Sequence, residues 1–385
     1  MGKAMMWGKM RRDKPSHKGR LAYLSLQATR EGQASYAHVH EIIKGLKKRG
    51  WHVHLYEPSY AASAITPGPV RRAWEFAAVQ LRLFTSVRPD VLYVRHHFAS
   101  FPTVLLARLQ GIPVVLEVNG LYEDLFIAWP FTKKLAKLFI YTMRSQLRWA
   151  DLVVAVTPQL AEWARSEGAK KVVVIPNGAN TEKFRPEVKL DEDINLPSKY
   201  VIFFGALAPW QGIDTMLAAV ENPRWPKDVK LVIVGDGAER EKVMVAASRS
   251  DRVCYLGPQP YDRMPGIVAG SLVALSPQND RGRRSSLGGL FPLKVFEALA
   301  SGVPVIVSDF PGMADLVRDC GCGLVIPPEN HHSLAEAVSF LHNNPSVREA
   351  MGMKGRELVS KEHSWDKRAE QTHLVLLSLK RARKG

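Results

Sequence analysis

Along the first half of the chain, short apolar, β-branched runs alternate with longer stretches whose apolar positions recur every three or four residues. LAYLSL (21–26) predicts a buried strand, and a helix follows from about Ser35 to Lys48. Gly50 closes that helix, and WHVHLYEP (51–58) is the next strand. Further strands are expected at 91–95, 113–118, 151–157 and 172–178, with a helix over 102–110. Strands this apolar, separated by helices, predict a parallel sheet covered on both faces. The polar stretch PEVKLDEDINLPSK (186–199) interrupts the pattern and reads as a linker. The pattern then restarts with strands in YVIFFGAL (200–207), KLVIVGDG (230–237), VCYLGP, LVALSP and VPVIVSD. A helical stretch from about Trp365 to Lys384 ends the chain.

This alternation predicts an α/β protein with a basic tail at 1–19 and a first domain at 20–185. The linker at 186–199 leads to a second domain at 200–364 and a terminal helix with its own basic tail at 365–385. A chain of 385 residues is too long for one core, so two domains are the natural division.

Composition removes several alternatives. With 46% hydrophobic and 23% charged residues, the chain is neither disordered nor fibrous. No apolar run is long enough to span a bilayer, and the first residues lack the apolar segment of a secretory signal. Cys254, Cys320 and Cys322 cannot form a disulfide framework and suit a reducing compartment, so a cytoplasmic location is expected. The net charge of +16 is concentrated at the ends. Residues 1–20 carry seven basic residues and one acid, and Lys380, Arg381, Arg383 and Lys384 close the chain. Such tails suit an anionic membrane surface at which the protein would be peripheral; a solvated tail is the plainer alternative. No zinc-finger spacing or aromatic RNA-binding pattern accompanies them, so no nucleic acid partner is expected.

Ligands of parallel sheets bind beyond the carboxyl ends of the strands, and four loops fall there. QATREGQAS (27–35) sets Gly32 at a helix start, where backbone can approach an anion. VGDGAERE (234–241) repeats strand, glycine turn and helix around Gly235. In GGLFPLKVFEALASGVPVIVSD (288–309), Gly288 and Gly289 precede a helix opening at Pro292. Backbone N–H groups there could meet a pyrophosphate. Lys294 and Glu297 share one face of that helix, which suits either a nucleotide site or an i,i+3 surface ion pair. Arg95, His96 and His97 follow the strand at 91–95, and Glu117 and Asn119 end the strand at 113–118. These polar strand ends could face an acceptor or simply cap the next helices. His38 and His40 lie two apart on a helix and face opposite ways, so no metal site is expected. FTKKLAKLFIYTMRSQLRW (131–149) reads as an amphipathic helix, with Leu135, Leu138, Phe139 and Met143 on one face and Lys133, Lys137, Arg144 and Arg148 on another. It suits either a membrane interface or packing on the sheet.

PNGANTEKFRP (176–186), FFGALAPWQGIDTML (203–217), LVIVGDGAERE (231–241) and FPLKVFEALASGVPVIVSD (291–309) follow one another in an order and spacing that resemble glycosyltransferase family 4. The resemblance implies a GT-B fold: two Rossmann-like domains facing across a cleft, with a C-terminal helix crossing back to the first. It implies a retaining hexosyltransferase that moves a sugar from a nucleotide sugar to a glycan or lipid-linked acceptor, in surface polysaccharide or glycolipid assembly. No cofactor and no divalent metal are implied.

Glu297 matches the family glutamate that holds ribose. The donor site is then expected to take in Gly288, Gly289, Leu290, Phe291, Leu293, Gly205, Gln211 and Gly235. The first glutamate of the family's E-x7-E pair falls on Gly289, and its phosphate-binding Arg and Lys fall on Ala206 and Gln211. Lys294 is the expected substitute cation, with Arg281, Arg283 and Arg284 as second candidates. Lys294, Asn119, Glu117 and His97 form the expected catalytic set, and Gly32, Arg95, Arg283 and Arg284 the acceptor or phosphate loops. The departures keep two alternatives open, a non-catalytic GT-B-like scaffold and a GT-B-fold sugar-nucleotide epimerase.

Overall fold

A computed structural model describes residues 18–30, 34–62, 67–281 and 284–381. The first half runs β1 (Gly19–Leu24), α1 (Ala34–Lys48), β2 (Trp51–Tyr56), α2 (Pro69–Thr85), β3 (Val91–Arg95) and α3 (Phe101–Leu109). It continues with β4 (Val114–Val118), α4 (Tyr122–Ala128), α5 (Ala136–Trp149), β5 (Leu152–Ala155), α6 (Pro158–Ser166) and β6 (Val172–Val174). These strands form one parallel sheet in the order β2-β1-β3-β4-β5-β6.

The second half opens with β7 (Tyr200–Phe204), α7 (Ile213–Val220), β8 (Lys230–Val234), α8 (Arg240–Arg249), β9 (Val253–Gly257) and α9 (Met264–Ala269). Next come β10 (Val273–Ser276), α10 (Arg284–Gly288), α11 (Leu293–Ala300), β11 (Val305–Ser308), α12 (Met313–Cys320) and β12 (Gly323–Ile326). Helices α13 (His331–Asn343), α14 (Pro345–Glu362) and α15 (Trp365–Arg381) finish the chain. The second parallel sheet has the order β12-β11-β10-β7-β8-β9. Strands β3, β4, β5 and β7 are buried at every position, as central parallel strands with helices on both faces must be.

Helix α15 leaves the second half and packs on α1 of the first. Close approach requires Gly45, because a Cβ there would lie 2.2 Å from the Cβ of Ala369. Arg49 pairs with Asp366 at 2.9 Å, and Trp51 Nε1 donates to His373 Nδ1 at 2.8 Å. Residues 186–199 contain no helix or strand but are not a free tether. Leu190, Ile194 and Leu196 lie against the second core, and Arg263 pairs with Asp191 and Asp193.

The segment 131–149 differs from one continuous amphipathic helix. A 3-10 turn over Pro130–Leu135 precedes α5, which rotates the expected apolar stripe apart. Met143 and Leu147 join the core, whereas Leu135 and Leu138 stay exposed, and Arg144 pairs with Glu167. Among the described residues, no helix is long and apolar enough to cross a membrane.

Candidate functional site

The carboxyl ends of the two sheets face each other, and their loops touch. Thr157, which caps α6 after β5, donates through Oγ1 to the Gly288 carbonyl at 2.6 Å. Asn177, beyond β6, donates through Nδ2 to the Phe291 carbonyl at 2.7 Å. The segment between α10 and α11 is therefore held by two side chains of the first half.

Helix α11 turns Lys294 and Glu297 inward to separate partners, so they are not a surface ion pair. Lys294 Nζ donates to Gln211 Oε1 at 2.7 Å and lies 3.8 Å from the centre of the buried Phe203 ring. Gly205, whose φ of +125° suits glycine, lies beside it; a Cβ there would sit in ordinary contact, 3.5 Å from Lys294 Nζ. Burial lowers the lysine pKa to about 7, partly offset by Glu297. Glu297 is buried, and Tyr261 Oη donates to its Oε1 at 3.0 Å. Desolvation raises its pKa to about 7 against the opposing influence of Tyr261 and Lys294. Family position 211 thus carries a glutamine, and the cation bound to it arrives from 294. At the neighbouring strand ends, the buried side chains of Ser276, Gln278 and Ser308 each present an oxygen with no hydrogen-bond partner in the protein.

Several expected donor residues serve packing instead. Gly235 spends its N–H on the Gly257 carbonyl, and its own carbonyl accepts from Tyr255 Oη. A Cβ at Gly235 would lie 1.9 Å from the Gly205 carbonyl oxygen, so this glycine lets two loops stack and offers no amide to a phosphate. The Gly205 N–H is likewise taken, by the Val234 carbonyl. Leu290 donates its N–H to the Pro311 carbonyl, which removes one of the amides expected to be open to a pyrophosphate. Leu293 is buried in a core that also contains Trp365.

Gly289 has a φ of +63°, and a Cβ there would meet Gln159 Oε1 at 2.4 Å. Gln159, in the first turn of α6, therefore occupies the space beside the position where the family keeps its first glutamate. Its Oε1 is buried without a hydrogen-bond partner. Nothing in the local sequence marks Gln159; only the contact between the two halves reveals it.

On the first sheet, Glu117 is a structural hub rather than an exposed catalytic carboxylate. It is 1% exposed and accepts from Tyr23 and Tyr93 hydroxyls, Arg95 Nη1 and Asn119 Nδ2, with His38 Nε2 at 3.0 Å. Burial opposes its charge, but His38, Arg95 and Asn119 prevail and hold its pKa well below the usual carboxylate range. Arg95 is thereby committed to Glu117 and, at 3.4 Å, to Gln27. Asn119 is half-buried and gives one of its two amide N–H donors to Glu117, which leaves the second N–H and Oδ1. His38 Nδ1 also lies 2.8 Å from Asn177 Oδ1, so Glu117, His38, Asn177 and the Phe291 carbonyl connect the two sheets.

His97, expected in the catalytic set, is held within the packing of the first half. Its Nδ1 accepts from the Ala99 N–H, its ring packs on Phe76 and Phe98, and burial lowers its pKa to about 3. His96 is half-buried, with Nε2 3.1 Å from the Met143 carbonyl, and desolvation lowers its pKa to about 4. Gly32 and Arg283 lie outside the described residues, as does the side chain of Arg284, whose backbone begins α10.

Residues 37–183 match the family described as Glycosyltransferase Family 4, and residues 184–358 match Glycosyl transferases group 1. A GDP-mannose-dependent alpha-(1-6)-phosphatidylinositol monomannoside mannosyltransferase of Mycobacterium tuberculosis is 30% identical over 286 residues, covering 70% of this chain and 71% of that protein. The alpha-D-kanosaminyltransferase of Streptomyces kanamyceticus is 26% identical over 290 residues, covering 71% and 72%. Sucrose-phosphate synthase from Thermosynechococcus elongatus superposes with a TM-score of 0.78 at 21% identity, over 94% of this chain and 99% of that one. The Anabaena HepE complex with UDP-glucose superposes with a TM-score of 0.70 at 16% identity, over 94% and 100%.

Proposed function

From the premise that the chain belongs to glycosyltransferase family 4 and has its GT-B fold, we propose that it is a retaining enzyme using a nucleoside-diphosphate sugar and a glycan or lipid-linked acceptor. That it is a glycosyltransferase follows from the family itself. The single observation carrying the donor reading is the contact between Lys294 and Gln211, which supports a cation at family position 211 supplied from α11. The names of the mannosyltransferase and of the UDP-glucose complex support the two substrate classes.

In this reading the diphosphate lies against Lys294 at the amino end of α11. An ammonium has three N–H donors, and the bond to Gln211 uses one. Negative charge grows on the diphosphate as the sugar departs, so a preorganised cation and the helix dipole act most strongly in the transition state. Glu297, oriented by Tyr261, accepts from the ribose hydroxyls. Gln159 contacts the sugar in place of the carboxylate absent at 289, and Asn119 Oδ1 faces the sugar or acceptor. The acceptor attacks from the face the diphosphate leaves, and a departing phosphate oxygen takes its proton, so no side chain serves as a strong base and no divalent ion is required.

The test is incubation of the purified chain with UDP-, GDP- and ADP-sugars in EDTA, following nucleotide release and the anomeric configuration of the product. Nucleotide release in EDTA with retained configuration is expected. Failure with every donor would favour the non-catalytic scaffold instead.

A further inference from the structure

We propose that the rim formed by α2 and the turn leading into α5 is a docking surface for an anionic lipid bilayer. Helix α2 is apolar on two opposite faces. Phe76, Val79 and Leu83 point into the core, while Val70, Trp74 and Leu81 are 78%, 73% and 65% exposed. At 100° per residue these three, with Ala77 and Ala78, form one stripe about 100° wide, far from the buried face. A soluble helix has no use for a second apolar stripe of this size.

The 3-10 turn and α5 add Leu135, Leu138 and Tyr141 at 57%, 54% and 62% exposure. The two elements adjoin, because the Arg72 guanidinium lies 4.4 Å from the centre of the Trp129 ring. Both begin at the carboxyl-end side of the sheet, the side that carries Asn119, so the surface borders the cleft.

Charge selects the occupant. Exposed Arg71 and Arg82 flank the α2 stripe, and exposed Lys133, Lys134 and Lys137 surround the second group. Residues 129–149 contain five basic residues and no acid, and the one acid of α2, Glu75, is bound by the Ser59 N–H and hydroxyl. Apolar side chains ringed by lysine and arginine match the headgroup boundary of an anionic membrane. A second copy of this chain on the same patch would set cation against cation. The surface is read from the fold alone and does not depend on the donor site.

The 385-residue chain would be floated with phosphatidylcholine vesicles with and without phosphatidylglycerol, at low and high salt. Binding is expected only with phosphatidylglycerol and should weaken with salt. Lys133→Gln, Lys134→Gln and Lys137→Gln together should lower it roughly 100-fold, taking about 1 kcal/mol per charge. Val70→Ser, Trp74→Ser and Leu81→Ser together should lower it at least about 10-fold. Unchanged thermal melting and unchanged nucleotide binding would show that both variants are folded. Equal flotation of all three proteins would assign binding to the basic termini and overturn the proposal, as would no flotation at all. A dimer of the parent chain that Trp74→Ser dissociates would make the patch a self-association surface instead. A protein that turns over soluble donor yet ignores vesicles would sink this inference and leave the transferase reading standing.

Discussion

Replacing Lys294 by Met should separate what the lysine does for turnover from what it costs the fold. Burial lowers its pKa from 10.5 to about 7. At about 1.4 kcal/mol per pKa unit, this caps the cost of keeping the ammonium at about 5 kcal/mol. The residue keeps some contact with water, which holds the cost below that cap. Methionine keeps the length, removes the charge and forfeits the bond to Gln211, worth about 1 kcal/mol. The variant should therefore be more stable at pH 7 in urea unfolding, by at most about 4 kcal/mol. The sign can be checked with pH. The unfolded lysine holds its proton up to its ordinary pKa and the folded one only to about 7, so the parent gains stability as pH rises between them. The advantage of the Met variant should shrink over that same range. Turnover should fall in the opposite sense, with kcat lower by about 10²–10³-fold, as for loss of one preorganised donor. Nucleotide release at saturating donor measures it. A variant that is less stable than the parent yet keeps kcat within about threefold would show that Lys294 is structural, and the reasoning would fail.

Glu297→Ala should weaken nucleotide binding by about 1.5–3 kcal/mol in calorimetry while thermal melting stays cooperative. Glu117→Ala leaves its buried donors without their acceptor and should destabilise the fold by about 3–5 kcal/mol, read as a lowered Tm. Gln159→Ala should lower kcat/KM for the nucleotide sugar about tenfold with unchanged affinity for the free nucleotide, since only the sugar would touch it. In the parent, kcat/KM should decline as pH rises above about 7, because the free enzyme loses the Lys294 cation there, and Lys294→Met should lack that limb.

Much of the architecture was legible because buried parallel strands leave a dense apolar signature. The run at 91–95 and the placement of Lys294 and Glu297 on one helix follow from local periodicity alone. Contacts between distant segments were not legible. Gly235 reads as a phosphate turn until its proximity to Gly205 shows that the two loops need the space. Glu117 reads as a catalytic carboxylate at a strand end, yet Tyr23, Tyr93 and His38 arrive from other elements to enclose it. The same limit hid Gln159, whose relation to Gly289 exists only across the cleft. The segment at 131–149 keeps a helix that packs Met143 and Leu147 on the core but departs from one uniform stripe, because a 3-10 turn shifts the angular register.

The most direct test of the donor site on α11 is a calorimetric titration of the parent chain, Glu297→Ala and Lys294→Met with UDP, GDP and ADP. At least one of the three nucleotides should bind the parent saturably, with proton uptake at pH 8 as the diphosphate restores charge to Lys294. Glu297→Ala should bind it at least about tenfold more weakly, and Lys294→Met should bind without the proton uptake. If no nucleotide binds the parent, or if all three proteins bind it with the same affinity and the same proton count, the donor is not held by α11.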